Sequence, residues 1–216
     1  MERKFSFVPG EYYHIYNRGI EKRSIFESDE DWKRFQHLLY LGNSDKNVIF
    51  KTIQGDPLDW KRGNTLVNIL AYTLMPNHFH LIIKEKNEGG VSKFLTKVST
   101  AYSMYFNTKY ERSGGLFCRP FRAKHIGSDE YFQWVFSYVH FNALDVFDHG
   151  WKERGSIDFE PASEYLRAYK YSSYRDYFRG DRLETRILEK EAVPIELANI
   201  EDISTMFHEF QGDTLE

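Results

Sequence analysis

Residues 75–83 read MPNHFHLII, and this stretch decides how the rest of the chain is parsed. Pro76-Asn77 is a turn signal, and the apolar run after it is short enough for one strand. Strand side chains alternate between faces, so His78 and His80 share one face while Phe79 points to the other. Two imidazoles side by side on an otherwise buried strand have two readings. They are surface histidines on a solvated face, or they are a pair of metal ligands. Two histidines do not complete a site, so the second reading needs partners from elsewhere in the chain.

On either side of the turn, "TLVNILAYTLM" and "NHFHLIIKE" predict two antiparallel strands joined tightly. Upstream, "YYHIYNRG" alternates and is aromatic-rich, a first strand. "SDEDWKRFQHLLYLG" has Ser28 as N-cap, acids in the first turn, Trp32, Phe35, Leu38 and Leu39 at helical spacing, and Gly42 as a stop. "NVIFKTI" is either a short strand or a loop. Downstream, "GGVSKFLTKVSTAYSMYFNTKY" carries Val91, Phe94, Leu95, Val98, Ala101, Tyr102 and Tyr105 on one helical face. "RSGGLFCRPFRAKHI" is a glycine-opened loop leading into a short strand, and "SDEYFQWVFSYVHFNAL" is a helix capped by Ser128. This alternation predicts an α+β fold, a ferredoxin-like antiparallel sheet with helices on one face, plus a helical C-terminal extension.

The chain of 216 residues, 41% hydrophobic and 17% aromatic, has ample material for a core. Its one cysteine, Cys118, excludes an internal disulfide framework and a cysteine-cluster zinc site, and fits a reducing compartment. No apolar run is long enough to span a bilayer and the first residues lack a signal-peptide pattern, so a soluble, cytoplasmic protein without a membrane partner is expected. A net charge of −3 argues weakly against nucleic acid, but the charge is unevenly placed. Between Val91 and Ile126 stand Lys93, Lys97, Lys109, Arg112, Arg119, Arg122 and Lys124 against the single acid Glu111. Acids dominate from Asp181 onward. The basic stretch is either a solvated helix face or, with Tyr102, Tyr105, Phe106, Tyr110, Phe117 and Phe121 interleaved, a surface where bases stack and cations hold phosphates.

The helix from Asp129 contains "YVHFNA", which sets Tyr138 and Asn142 four residues apart on one face, with Tyr131 two turns earlier. A tyrosine, an amide and two histidines make sense together for phosphodiester chemistry. A metal on His78 and His80, with the Asn142 oxygen as third ligand, would polarise the phosphate, and Tyr138 would attack phosphorus to form a covalent phosphotyrosine. Each assignment has a plainer rival. Tyr138 is otherwise a core tyrosine, Asn142 a helix C-cap, and Tyr131 the competing nucleophile. His14, His125 and His140 read as satisfied surface or core histidines rather than ligands.

In combination, "MPNHFHLII", "YSMYFNTKYERSGGLFCRPFRAKHI" and "YVHFNA" resemble the single-tyrosine transposases of the HUH superfamily, and in particular the REP-associated tyrosine transposases, which are similar to single-strand insertion-sequence transposases. "YHIYNRGIEKRSIF" and "YKYSSYRDYFRG" extend the resemblance from about Tyr12 to Gly180. It implies a ferredoxin-like catalytic domain, Mg²⁺ or Mn²⁺ as cofactor, and cleavage of single-stranded DNA near a hairpin. By position it makes His78 and His80 the metal pair, Tyr138 the nucleophile, Asn142 the polar ligand, and Arg119, Arg122 and Lys124 DNA contacts, to which the basic helix and loop add Lys93, Lys97 and Arg112. Two departures stand out: Ala143 follows Asn142 where related members often have proline, and Phe117-Cys118-Arg119-Pro120 replaces a tryptophan-glycine pattern.

The expected organisation is a catalytic domain over residues 1–145, an aromatic and basic extension over 146–180, and an acidic helical tail over 181–216. The expected function is a DNA strand transferase with nicking activity, acting as a monomer or homodimer on single-stranded or hairpin DNA. A non-catalytic nucleic-acid-binding regulator on the same scaffold, or a metal hydrolase using activated water, are the alternatives.

Overall fold

The computed structural model describes residues 6–194. Four strands, β1 (Tyr12–Arg18), β2 (Val67–Met75), β3 (His78–Glu85) and β4 (Arg122–Ile126), form one antiparallel sheet in the order β2-β3-β1-β4. Helix α1 (Asp29–Gly42) crosses from β1 to β2 and α2 (Gly90–Lys109) from β3 to β4. That is the ferredoxin-like arrangement expected from the alternation, and the two-residue link between β2 and β3 is the turn read at Pro76-Asn77. "NVIFKTI" forms no strand and holds only a 3₁₀ turn at Phe50–Thr52.

The period of two sorts the sheet residues into two cores. Phe79, Leu81 and Ile83 of β3 and Tyr13 and Ile15 of β1 join Phe35, Leu39, Phe94, Val98 and Tyr102 of α1 and α2 on one face. Ile82, Leu70, Ala71 and Ile126 face the other way, against Phe132, Val135, Phe136 and Val139 of α3 (Asp129–Phe141). The second face is therefore in large part a core, with Arg122 and Lys124 of β4 left exposed on it. Helix α3 and the chain after it cover it, an added layer beyond the helices expected on one face. A register shift between Ile69 and Ala71 in β2 lets Leu70 and Ala71 both serve this second core.

Local chemistry sets the helix ends. The carboxylate of Asp31 accepts from the Glu27 and Ser28 N–H groups at 2.8 and 3.0 Å, closing the start of α1. The buried carboxylate of Glu85 accepts from Gly90 and Val91 N–H groups at 3.0 and 2.7 Å, holding the start of α2 against the end of β3. Gly90 is required there, because a Cβ would sit 2.4 Å from the Leu66 carbonyl oxygen. At α3, the Ser128 hydroxyl accepts from Tyr131 N–H at 3.2 Å, as its N-cap position predicted.

After α3 come short helices α4 (Leu144–Phe147), α5 (Trp151–Arg154), α6 (Phe159–Ala168) and α7 (Tyr174–Phe178). This extension packs onto the sheet and runs along the outer edge of β2. The Tyr171 carbonyl accepts from Leu74 N–H at 3.0 Å, and Ser173 N–H donates to the Tyr72 carbonyl at 2.9 Å. Edge groups that would otherwise template strand pairing are thereby used. Asp176, with a fully buried side chain, receives Arg182 through both carboxylate oxygens at 2.9 Å, and Arg182 also donates to the Ser172 carbonyl at 2.8 Å. The described part of the expected acidic tail holds two 3₁₀ turns, Leu183–Ile187 and Lys190–Ala192, and the rest of that tail lies outside the described residues. No helix among the described residues is long and apolar enough to cross a membrane.

Candidate active site

The strand register assembles the site row by row. His80 pairs with Tyr16 across β3 and β1, and Tyr16 with Arg122 across β1 and β4. His14 lies opposite Ile82 on one side and Lys124 on the other, and His78 pairs with Arg18. Residues directly opposite share a face, so His14, Tyr16, His78, His80, Arg122 and Lys124 all face the α3 side of the sheet. Expectation and structure agree on which face the histidine pair occupies relative to Phe79.

Of the expected pair His80 is buried, together with His14 of β1, while His78 is half-buried beside a hollow. His80 is 6% exposed and His14 is 5% exposed, and His14 Nε2 lies 2.9 Å from His80 Nδ1. The rings of His78 and His80 meet edge to face at 5.0 Å. His78 Nδ1 lies 2.6 Å from Asn77 Oδ1, while the Asn77 amide nitrogen donates to the Lys22 carbonyl at 3.3 Å. That orientation of Asn77 makes His78 Nδ1 the donor and leaves Nε2 with its lone pair. Burial pushes all three imidazoles down, His14 to about 3 and His78 to about 4, with His80 well below its ordinary value. They are neutral at pH 7, the form that binds metal.

Helix α3 lays Tyr138 over this row. Its ring meets His14 at 5.8 Å and His80 at 5.6 Å, both edge to face, and stacks on Trp134 at 5.0 Å. Tyr131 stacks on Trp134 at 6.0 Å, so Trp134 stands between the two candidate tyrosines. Of the pair, Tyr138 is the one in ring contact with the histidines. Burial raises the Tyr138 phenol above its ordinary value, with a hydrogen bond from the Asn142 side chain working the other way. A protonated, half-buried phenol needs a nearby cation to become a nucleophile.

Asn142 is 2% exposed and both ends of its amide are engaged. The nitrogen donates to the Tyr138 carbonyl at 2.6 Å, and the oxygen accepts from Lys152 Nζ at 3.1 Å. The ammonium of Lys152 also pairs with Asp145 at 3.0 Å and lies 4.8 Å from the centre of the Tyr138 ring. Lys152 and Asp145 are site residues that sequence reading missed, as are His14 and Tyr16. His14 and Tyr16 had a signal, since alternation in β1 puts them on one face; Lys152 had none, because only the extension's path brings it here.

The residues fit a divalent ion in part. Two neutral imidazoles stand ring to ring at 5.0 Å with one nitrogen each held by Asn77 and His14, while no group of three or more His, Cys, Asp or Glu suited to a metal occurs among the described residues. An ion held there would have to complete its shell with amide, water or phosphate oxygens.

The six expected DNA contacts divide. Arg122 and Lys124 flank the histidine row. Beside His78 a hollow of about 480 Å³ is lined by Arg18, Lys22, Arg122, Asn17 and Asn77. It shares Asn17, Cys118 and Pro120 with a second hollow of about 840 Å³ between α2 and the glycine loop, where Arg119 sits. Lys93 and Lys97 ride on α2, across the sheet from the histidines. There Lys97 Nζ donates to the Ser44 and Lys46 carbonyls at 2.6 and 2.9 Å. Arg112 donates to Asn107 at 3.3 Å and lies over Phe106. Of the remaining histidines, His125 faces Glu11 at 2.7 Å, and buried His140 bonds the Ser173 hydroxyl at 2.8 Å and the Phe136 carbonyl at 2.9 Å. Both are satisfied structurally, as expected.

Comparison with known proteins gives three results. A family model described as "Transposase IS200 like" matches residues 61–142, which hold β2, β3, α2, β4 and α3. No curated protein matches. A solved REP-associated tyrosine transposase bound to a REP hairpin aligns with a TM-score of 0.51 over 85% of this chain and 90% of that one, at 14% identity, a likeness of fold. The matched segment contains the histidine pair, Tyr138 and Asn142, and supports transposase-like DNA processing. Over residues 61–142, then, this chain is similar to the IS200-like transposases, the resemblance that the sequence motifs carried.

Proposed function

We propose that the protein is a metal-dependent single-stranded DNA endonuclease and strand transferase that works through a phosphotyrosine at Tyr138, at hairpin-forming sites. The observation that carries this reading is the placement of the Tyr138 ring against His80 and His14, with Arg122 and Lys124 on the same sheet face. His78 and His80 would hold Mg²⁺ or Mn²⁺, which when bound would supply Lewis-acid polarisation of the scissile phosphate. Imidazole ligation leans toward Mn²⁺. Asn142, whose oxygen accepts from Lys152 at 3.1 Å, would be the third ligand.

In this reading Tyr138 Oη loses its phenol proton and forms a bond to phosphorus as the bond from phosphorus to the leaving deoxyribose oxygen breaks, and that oxygen takes up one proton, so the exchange is proton-neutral. Rejoining reverses the step with a new hydroxyl. One phosphodiester is exchanged for another, so no nucleotide hydrolysis is needed. Arg122, Lys124 and Arg119 hold the strand by its phosphates, with Arg18 and Lys22 in the hollow beside His78. The geometry gives less support to Lys93, Lys97 and Arg112 as contacts near the scissile phosphate, since they lie away from the histidine row. Hairpin recognition is the property of the solved transposase named above and is carried here as part of the proposal.

A second reading, a non-catalytic DNA-binding regulator on this scaffold, has one observation in its favour: the Asn142 oxygen is occupied by Lys152. The test uses end-labelled, hairpin-bearing single-stranded DNA from the gene's own flanks, with Mn²⁺ or with chelator. A protein–DNA adduct on a denaturing gel that requires metal and is lost in Tyr138→Phe establishes the transesterase. Binding without adduct in the wild type selects the regulator. Metal-dependent cutting that persists in Tyr138→Phe selects Tyr131 or an activated water.

A further inference from the structure

Lys152 brings a cation to both the Tyr138 ring and the Asn142 amide, and it arrives from outside the segment matched to the transposase family. Its Nζ makes two charge-bearing hydrogen bonds at the site, to Asn142 Oδ1 at 3.1 Å and to Asp145 Oδ2 at 3.0 Å, and sits 4.8 Å from the Tyr138 ring centre. The Asn142 amide lies against Tyr138, donating to its carbonyl at 2.6 Å, and is buried. An ammonium and a divalent cation on the same amide oxygen would stand within a few ångströms as like charges in a poorly solvated place, so one excludes the other. Asp145, on the first turn of α4, gives Lys152 somewhere to remain after it leaves the amide.

We propose that Lys152 is the resident cation of the site, holding the Asn142 oxygen and the Tyr138 ring in the metal-free protein and competing with the divalent ion for that oxygen. The inference rests on the metal-binding reading above. It makes Lys152 a positioning residue and gives the extension a role in the chemistry: α5, by presenting Lys152, sets the metal affinity of a site built on the sheet and α3. A lysine that served only the fold would support Asn142 without opposing metal.

The test is a titration of Mn²⁺ into the full chain without DNA, monitored by loss of the free-ion electron paramagnetic resonance signal. The variants are Lys152→Met, Lys152→Arg, Asn142→Ala and the double variant. Lys152→Met is expected to bind Mn²⁺ at least about tenfold more tightly, the worth of one charged hydrogen bond no longer broken. Lys152→Arg should stay near wild type. In the Asn142→Ala background, the gain from Lys152→Met should shrink, since the contested oxygen is gone. Equal gains in both backgrounds mean that Lys152 acts only through distant charge, and overturn the competition. Unchanged or weaker binding in Lys152→Met overturns it also. If no variant and no wild type binds Mn²⁺, the metal reading itself falls, an outcome distinct from wild type and Lys152→Met binding equally. Melting temperatures in chelator check folding, and Lys152→Ala, with the same expectations, replaces Lys152→Met should the latter fail to fold.

Discussion

Protonation of buried histidines should govern the acid side of this protein's stability, and His140 isolates the effect. Its side chain is fully buried between α3 and the extension, bonded to the Ser173 hydroxyl and the Phe136 carbonyl, and burial lowers it to about 3. In the unfolded chain it titrates near 6.5. Below pH 6.5 the unfolded state therefore binds a proton that the folded state refuses, and stability falls as pH drops until about pH 3. The slope is about 1.4 kcal/mol per pH unit, so going from pH 7 to pH 5 costs about 2 kcal/mol through His140 alone. His14, also held to about 3, loses a similar amount over the same window. Against a total stability on the order of 5–15 kcal/mol, these losses are large. Carboxylates titrate mostly below this window, which leaves the histidines as the main variable. Urea unfolding at pH 7, 6, 5.5 and 5, in chelator, measures the slope for wild type and for His140→Gln. The variant should lose about 2 kcal/mol less between pH 7 and pH 5 than wild type does. An identical pH dependence in the two proteins would show that burial does not hold His140 neutral, and the acid-stability account would fall with it.

Particular contacts set three further outcomes. Tyr138→Phe should abolish the covalent adduct while leaving DNA binding unchanged in a filter or anisotropy assay, whereas Tyr131→Phe, whose ring stacks beyond Trp134, should keep the adduct. Arg122→Ala and Lys124→Ala should each weaken single-strand binding and lower the salt slope of log K by about 1. Lys97→Ala, whose ammonium is spent on the Ser44 and Lys46 carbonyls, should leave that slope unchanged and appear instead as a lower melting temperature. Asp31→Ala removes a fully buried carboxylate that receives Lys109 and Tyr105 at 2.8 Å, Tyr110 at 2.6 Å and two backbone N–H groups. Chemical denaturation should record a loss of about 3–5 kcal/mol, because those donors are left without their acceptor.

Order and type of the main elements, and the face each strand residue occupies, were legible from residue order alone. Periodicity of two in "NHFHLIIKE" and of three and four in "GGVSKFLTKVSTAYSMYF" depends only on neighbouring residues, so it is readable without the fold. The turn at Pro76-Asn77 and the Ser128 cap are local for the same reason. Motif spacing was enough to single out His78, His80, Tyr138 and Asn142 as one constellation. The groups that stand around them emerge only from the folded chain. His14 reaches His80 through strand pairing, and Lys152 and Asp145 come to Tyr138 through the path of short helices after α3. The same holds for the division of the basic residues: Lys97 is turned inward to cap carbonyls at the end of α1, while Arg122 faces the histidine row. A charge run in one dimension has no face, and its faces appear only when burial of two different apolar sets fixes how α2, β4 and α3 sit against the sheet.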